Sequence, residues 1–206
     1  MGMKLFVIGA TGGVGKEVVK QALDKGYEVT AFVRDPSKLV MEHAHLHIVQ
    51  GDGLDKNSVI TAMEGHDAVI CTVGGKNLGT TTLMSTVTKH LIEGMKQHNI
   101  DRIVYCASAG IHKELKGIMG KLITFVLRKV LADHTKVYES LVASKLHWTI
   151  ARPMSLTNGP LLGSYNEVLH GGSPKGYSIA RADVAVFMLK AVEDNQYLEQ
   201  SVGLSS

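Results

Sequence analysis

The stretch Lys4-Leu5-Phe6-Val7-Ile8-Gly9-Ala10-Thr11-Gly12-Gly13-Val14-Gly15 decides how the rest of the chain is read. An apolar run leads straight into glycines, and the glycines lead into a segment with helical spacing. Gly9, Gly12 and Gly15 form G-x-x-G-x-x-G, a relative of the commoner dinucleotide pattern G-x-G-x-x-G. Glycine permits the sharp turn from strand to helix, and the missing side chain lets a diphosphate approach the backbone. The N–H groups of the first helical turn then face the anion, helped by the helix dipole. Thr11, Gly13 and Val14 complete the candidate cradle. A bare structural turn would satisfy the same glycines, but their position directly after a first strand favours a nucleotide.

Working outward, Lys16 to Lys25 has helical spacing with Val18, Val19, Ala22 and Leu23 inward, and Gly26 ends it. Tyr27 to Val33 reads as a second strand, followed by Arg34-Asp35-Pro36 and a short helix at Ser37 to Val40. His45 to Val49 is a third strand, closed by Gly51-Asp52-Gly53. Asp55 caps a helix to Met63, and Asp67 to Val73 is a fourth strand ending at Gly74-Gly75. A helix over Thr81 to His98 leads to a fifth strand, Asp101 to Ala107. Further on, Ile111 to Val130 and Asp133 to Ser144 read as two helices, and His147 to Ala151 as a sixth strand ending at Arg152-Pro153. Leu156 to Gly176 is rich in turn signals such as Asn158-Gly159-Pro160. A helix from Arg181 to Val192 and a short tail strand finish the chain.

Strands alternating with helices through short turns imply right-handed crossovers and a parallel sheet. The expected fold is α/β, a doubly wound parallel sheet of the Rossmann type with helices on both faces, in a single domain over residues 1–206. Ligands in such sheets gather at the carboxyl ends of the strands. Gly9, Arg34, Asp52, Val73-Gly74 and Ser108 are therefore expected to converge.

Composition agrees with one domain: 206 residues, 45% hydrophobic, suit a well-buried core. No run approaches the roughly 18 apolar residues of a membrane span, so stable membrane insertion is not expected. The first strand starts at once, which predicts no secretory leader and a cytoplasmic protein. A net charge of +3 is too small to argue for nucleic acid. Cys71 and Cys106 each end an apolar run and are expected to be buried and reduced. His43, His45 and His47 share a strand face, but without a cysteine or carboxylate cluster a wet strand edge is favoured over a metal site. Asp183 is expected to steady its helix start electrostatically.

Arg34 stands where a dinucleotide fold meets the adenosine ribose. An acidic residue there would accept hydrogen bonds from the 2′-OH of NAD, whereas arginine pairs with the 2′-phosphate of NADP. Asp35 beside it complicates the choice. Asp52 and Gly53 follow the third strand, where Asp52 also suits a turn cap. Small residues at Val73-Gly74-Gly75 let the backbone approach a cofactor. None of the six tyrosines has a lysine four positions on. The Tyr-x-x-x-Lys pair that protonates a carbonyl oxygen is thus absent.

These residues together resemble the atypical short-chain dehydrogenase/reductases, NAD(P)H-binding reductases, and among them the biliverdin and flavin reductases. The matching stretches include Gly9-Ala10-Thr11-Gly12, Tyr27-Glu28-Val29-Thr30, Val33-Arg34-Asp35, Gly51-Asp52, Asp67-Ala68-Val69-Ile70, Thr81-Thr82-Leu83-Met84-Ser85, Asp133-His134 and Phe187-Met188-Leu189. The resemblance implies NADP(H) preferred over NAD(H), with Arg34 on the phosphate, Asp52 near adenine and Lys76 reaching the phosphates. It implies an active-site Ser108, for which a turn or helix-cap role is the plainer alternative, and a basic position at Lys136, for which surface solvation is equally fitting. Arg152-Pro153 should border the nicotinamide with its backbone. Ala109, Gly110, Met154 and Ser155 would meet the substrate, within elements at about 108–135 and 153–180.

Two departures stand out. The family has a histidine where this chain has Met154, which removes a proton-transfer group. The segment Ile111 to Leu131 is longer than its counterpart and mixes Lys113, Lys116, Lys121, Arg128 and Lys129 with Leu115, Ile118, Met119, Leu122, Ile123, Phe125 and Val126. It is expected to cover the substrate site, with a dimer surface or membrane-surface contact as alternatives. The expected activity is NADPH-dependent hydride transfer to a conjugated small molecule: a flavin, a quinone or a linear tetrapyrrole such as biliverdin. The protein would act as a monomer or homodimer. A non-catalytic NADP(H) sensor and an epimerase or dehydratase are the competing readings.

Overall fold

In β1 (Lys4–Ile8) side chains alternate between two apolar layers, Leu5 and Val7 on one face and Phe6 and Ile8 on the other. A strand buried on both faces must be covered by helices on both, which is why its sequence is a continuous apolar run. The computed structural model describes residues 2–75, 82–115, 117–169 and 172–206. Strands β2 (Glu28–Val33), β3 (Leu46–Gln50), β4 (Ala68–Cys71), β5 (Arg102–Cys106), β6 (His147–Pro153), β8 (Asn166–Leu169) and β10 (Gln200–Ser205) join β1 in one sheet. Its order is β3-β2-β1-β4-β5-β6-β10-β8. Every neighbouring pair is parallel except β10 with β8.

Helices α1 (Gly13–Asp24) and α5 (Arg181–Glu193) cover one face, and α2 (Lys56–Ala62), α3 (Leu83–Gln97) and α4 (Gly117–Ser144) the other. The first six strands thus have the expected doubly wound order. Asp55 caps α2 as expected, accepting from the N–H groups of Asn57 and Ser58. Two short strands, β7 (Ser155–Thr157) and β9 (Ser178–Ala180), pair in parallel beyond the main sheet, and β8 closes its edge. The region read as a loop from 156 to 176 therefore carries strand structure.

Two expectations need correction. The segments read as separate helices are one: α4 runs unbroken from Gly117 to Ser144. Asp133, the expected start of the second helix, lies within α4, and its buried carboxylate reaches across the layer. It accepts from the N–H groups of Met84 and Ser85 and so caps α3. Helix does not begin at Ile111, because Lys113 and Gly117 take positive φ values of 60° and 75°.

The two cysteines sit on adjacent strands but on opposite faces. Cys71 is level with Tyr105, so Cys106, one residue on, points into the other layer. Both are free and buried, and burial raises each thiol to about 12.

Candidate functional site

At the carboxyl ends of β1 to β4 the chain encloses a cleft of about 280 Å³. Of the residues expected there, Gly9, Thr11, Gly12, Arg34, Asp52, Gly53, Val73 and Gly74 line it. Thr72, Phe32 and Leu83 also line it and escaped sequence reasoning. Gly75 is exposed beyond the walls. Lys76 lies outside the described residues.

The three glycines have separate reasons to be glycine. Gly9 has φ of 86°, and a Cβ there would lie 2.7 Å from the backbone of Thr72 on β4's end. A Cβ on Gly15 would lie 2.3 Å from the Gly9 carbonyl oxygen and 2.8 Å from Ala10 Cα, so α1 is seated against the loop. The Gly12 N–H donates to the Gly9 carbonyl at 2.9 Å and closes the turn. Gly12 is the N-cap of α1 and supplies no side-chain cap, and the first turn carries no acid. Its outward N–H groups and positive helix end suit an anion.

A cation also stands over this turn. A Cβ on Gly13 would come within 2.5 Å of both Cδ and Nε of Arg181, and Arg181 donates to Asn158 Oδ1 at 2.6 Å. Sequence reasoning missed it. The available signal was an arginine opening a helix directly off a strand end.

Arg34 is exposed at the cleft, and among the described residues its guanidinium has no hydrogen-bond or ionic partner. The Asp35 carboxylate is engaged elsewhere. It accepts from the N–H and hydroxyl of Ser37, at 3.2 and 2.6 Å, and pairs with Lys38 at 2.9 Å. Those bonds to Ser37, then Lys38, lower it to about 2. Asp52 closes its turn by accepting from the Leu54 N–H at 3.0 Å, and it also lines the cleft.

Further along the edge, Ala107 and Ala109 donate to the carbonyls of Ala151 and Pro153, at 2.8 and 3.0 Å. The β5–β6 pairing thus continues past the strand ends and brings Ser108, Ala109 and Gly110 beside Pro153. Ser108 is half-buried, and among the described residues its hydroxyl makes only a local bond to the Ala109 carbonyl, at 3.2 Å. Met154 is half-buried with its N–H on Leu204, and exposed Ser155 binds Tyr177 through the backbone.

Arg152 has a role that the sequence did not reveal. Its side chain has no exposed surface and pairs with the equally buried Glu114. Its charge is therefore not presented to a cofactor. Desolvation lowers its pKa, with Glu114 opposing. Glu114 also accepts from the His112 N–H at 3.0 Å.

Lys136 is exposed on α4 and does not join the site. Tyr138, two residues on, is the one turned inward, edge-on to His112 and Trp148 at 4.8 and 5.8 Å. Among the described residues, none of α4 lines this cleft, which lies at the β1 to β4 end rather than beside Ser108. Asp183 is fully buried and accepts from the N–H groups of Leu162 and Gly163 at 3.0 and 2.8 Å. It tethers that loop, beyond the expected helix-end role.

Residues 9–195 match the NAD(P)H-binding family, and the chain belongs to it. It is 26% identical over 223 residues to a bifunctional pinoresinol-lariciresinol reductase of Linum album, covering 98% of this chain and 66% of that protein. The chain thus spans about two thirds of that relative. A short-chain dehydrogenase/reductase of Veillonella parvula, solved in complex with NADP, superposes with a TM-score of 0.86 at 18% identity, over 100% of this chain and 95% of that one. The anaerobilin reductase ChuY of Escherichia coli O157:H7 gives 0.83 at 21% identity, over 98% and 96%. The Rossmann fold and the resemblance to atypical short-chain reductases therefore stand.

Proposed function

We propose that this chain is an NADPH-dependent reductase that passes hydride to a conjugated small molecule, such as a flavin, a quinone or a linear tetrapyrrole. The observation that carries the reading is the unpartnered Arg34 guanidinium on the wall of the cleft whose floor is the glycine turn, while Asp35 is engaged by Ser37 and Lys38. The cradle and the charge fit the cofactor: Gly12 opens α1 without a side-chain cap, which leaves the first-turn N–H groups for an anion, and Arg34 offers the fork that a 2′-phosphate accepts. Thr11, Gly12 and the first turn of α1 would hold the diphosphate with Arg181 above it, and Asp52 and Gly53 would flank the adenosine. When bound, the nicotinamide supplies the hydride.

Ser108 would orient the reacting rings from the end of β5, with Ala109, Gly110, Pro153, Met154 and Ser155 bordering the acceptor. No Tyr-x-x-x-Lys pair exists, and Met154 cannot carry a proton. An acceptor whose reduced form is resonance-stabilised, and which collects its proton from water, suits such a site. The anaerobilin reduction named for the structural neighbour ChuY supports this class of acceptor.

The test is NADPH oxidation against FMN, a quinone panel and biliverdin, with Ser108→Ala alongside. Turnover on at least one acceptor, reduced in Ser108→Ala with NADPH affinity kept, is the expected result. Tight NADPH binding with no turnover on any of them would favour the sensor reading, to which the missing tyrosine–lysine pair also lends itself.

A further inference from the structure

The first half of α4 has its apolar surface on the wrong side for a helix that merely covers a sheet. Leu127 and Leu131 pack inward on the core layer. On the opposite side Ile118, Leu122, Phe125 and Val126 repeat at i, i+4, i+7 and i+8 and are 90, 55, 63 and 48% exposed. Ile123, 40% exposed, continues the Leu127 and Leu131 row toward the start of the helix. A helix apolar all round is ordinarily buried on every side, so this face lacks its counterpart.

Charge identifies the counterpart. From Gly117 to Ala132 the helix carries Lys121, Arg128 and Lys129 and no acidic residue. The flanking carboxylates are out of reach of a partner, Glu114 paired with Arg152 and Asp133 on the α3 end. Lys121 and Arg128 flank Phe125 on one border of the stripe, with the Arg128 guanidinium 4.2 Å from the Phe125 ring centre. Lys129 lies one turn beyond it. A second copy seated on this face in two-fold fashion would bring these cations against their own equivalents. A nucleic acid would satisfy the cations and leave the apolar stripe wet.

We infer that the first half of α4 seats the protein on an anionic lipid surface, its apolar stripe entering the headgroup boundary and its cations meeting lipid phosphates. Aliphatic and aromatic side chains between lysines and arginines are the composition of an interfacial helix. No described helix is long and apolar enough to cross a membrane, so the contact is with one leaflet. It is the helix's inward side that adjoins the β5 end, where a Cβ on Gly110 would touch Leu115 and Leu131, at 3.3 and 3.2 Å. The docking does not rest on the reductase reading.

The experiment is co-sedimentation of the full chain with vesicles of phosphatidylcholine alone and with about a third phosphatidylglycerol added. Three cations near the surface predict partitioning about 100-fold stronger on the anionic vesicles, falling with salt. Leu122→Gln with Phe125→Gln, both exposed and therefore tolerated by the fold, should abolish it, with circular dichroism and NADPH affinity unchanged. Equal sedimentation with and without vesicles overturns the inference. So does binding that survives both substitutions, and so does a concentration-dependent dimer that the same pair dissolves. NADPH binding is scored separately, so failure of the docking and failure of the reductase reading are told apart.

Discussion

Arg152, at the end of β6, and Glu114, in the turns before α4, form an ion pair with no exposed side-chain surface on either partner. Arg152 also reaches the Ser201 carbonyl at 3.4 Å, while its Nε has no partner among the described residues. One charge comes from the sheet and the other from the segment that carries Ser108's neighbours. The pair therefore ties the segment after β5 to β6 of the sheet. It also anchors a loop with two positive-φ residues, Gly110 and Lys113.

Glu114→Gln keeps the shape and removes the counter-charge, leaving a buried guanidinium uncompensated. A loss of about 3–5 kcal/mol is expected, read as a lower urea midpoint at unchanged slope. Replacing both partners, Arg152→Met with Glu114→Leu, should recover most of it, because neither change then strands a charge. A Glu114→Gln loss below about 1 kcal/mol would mean that water reaches the pair.

Arg34 and Asp35 are neighbours with separate tasks. Arg34→Ala should weaken NADPH about 10- to 100-fold, the range for losing charge-assisted bonds to one phosphate, and leave NADH nearly unchanged. Asp35→Asn should leave the ratio of the two affinities where it was, since the carboxylate serves the Ser37 turn. Calorimetric titration of both cofactors decides it. Equal losses of NADPH and NADH in Arg34→Ala would remove the 2′-phosphate assignment.

The parts legible in the sequence are those set by local pattern. The β1 run, the glycine turn, the Asp55 cap and the alternation of strands and helices each follow from residues within a few positions of one another. That was enough to bring Gly9, Arg34, Asp52 and Gly74 to one cleft. What stayed hidden depends on contacts between distant elements. Asp133 caps a helix 48 residues away from its own position, at Ser85. Arg181 leans over Gly13, and Glu114 finds Arg152, without any periodic trace in the chain. Lys136 and Tyr138 show the intermediate case: two positions apart on α4 they fall on different faces, and packing decides that Tyr138 is the one facing inward.

The glycine turn can be tested by contrast. Gly15→Ala puts a methyl 2.3 Å from the Gly9 oxygen, and the backbone must move to accept it. A stability loss of about 1–3 kcal/mol is expected, together with loss of NADPH binding as the cradle shifts. Gly26→Ala changes a glycine with φ of 80° and open space around it. That costs only the left-handed conformation, about 1–2 kcal/mol, with binding intact. Similar NADPH affinities in the two variants would show that the turn's shape is not what holds the cofactor.

His134 should give the protein a distinct acid limb. Its ring is buried on α4, with Nδ1 2.9 Å from the Tyr105 hydroxyl. Desolvation lowers it from the ordinary 6.5 to about 4, against the opposing pull of Asp133. Between those values the unfolded chain binds a proton that the folded one refuses, so stability rises with pH. The contribution is therefore fully present above pH 6.5 and is lost as pH falls toward about 4. From the size of the shift it amounts to about 3 kcal/mol. His134→Gln cannot titrate. The stability gap between wild type and variant, measured by urea unfolding at a series of pH values, should narrow by that amount from neutral pH to pH 4, independently of the carboxylates that both proteins share. A gap that stays constant across the series would mean that the folded protein accommodates the imidazolium beside Tyr105, and that the site is wetter than its burial implies.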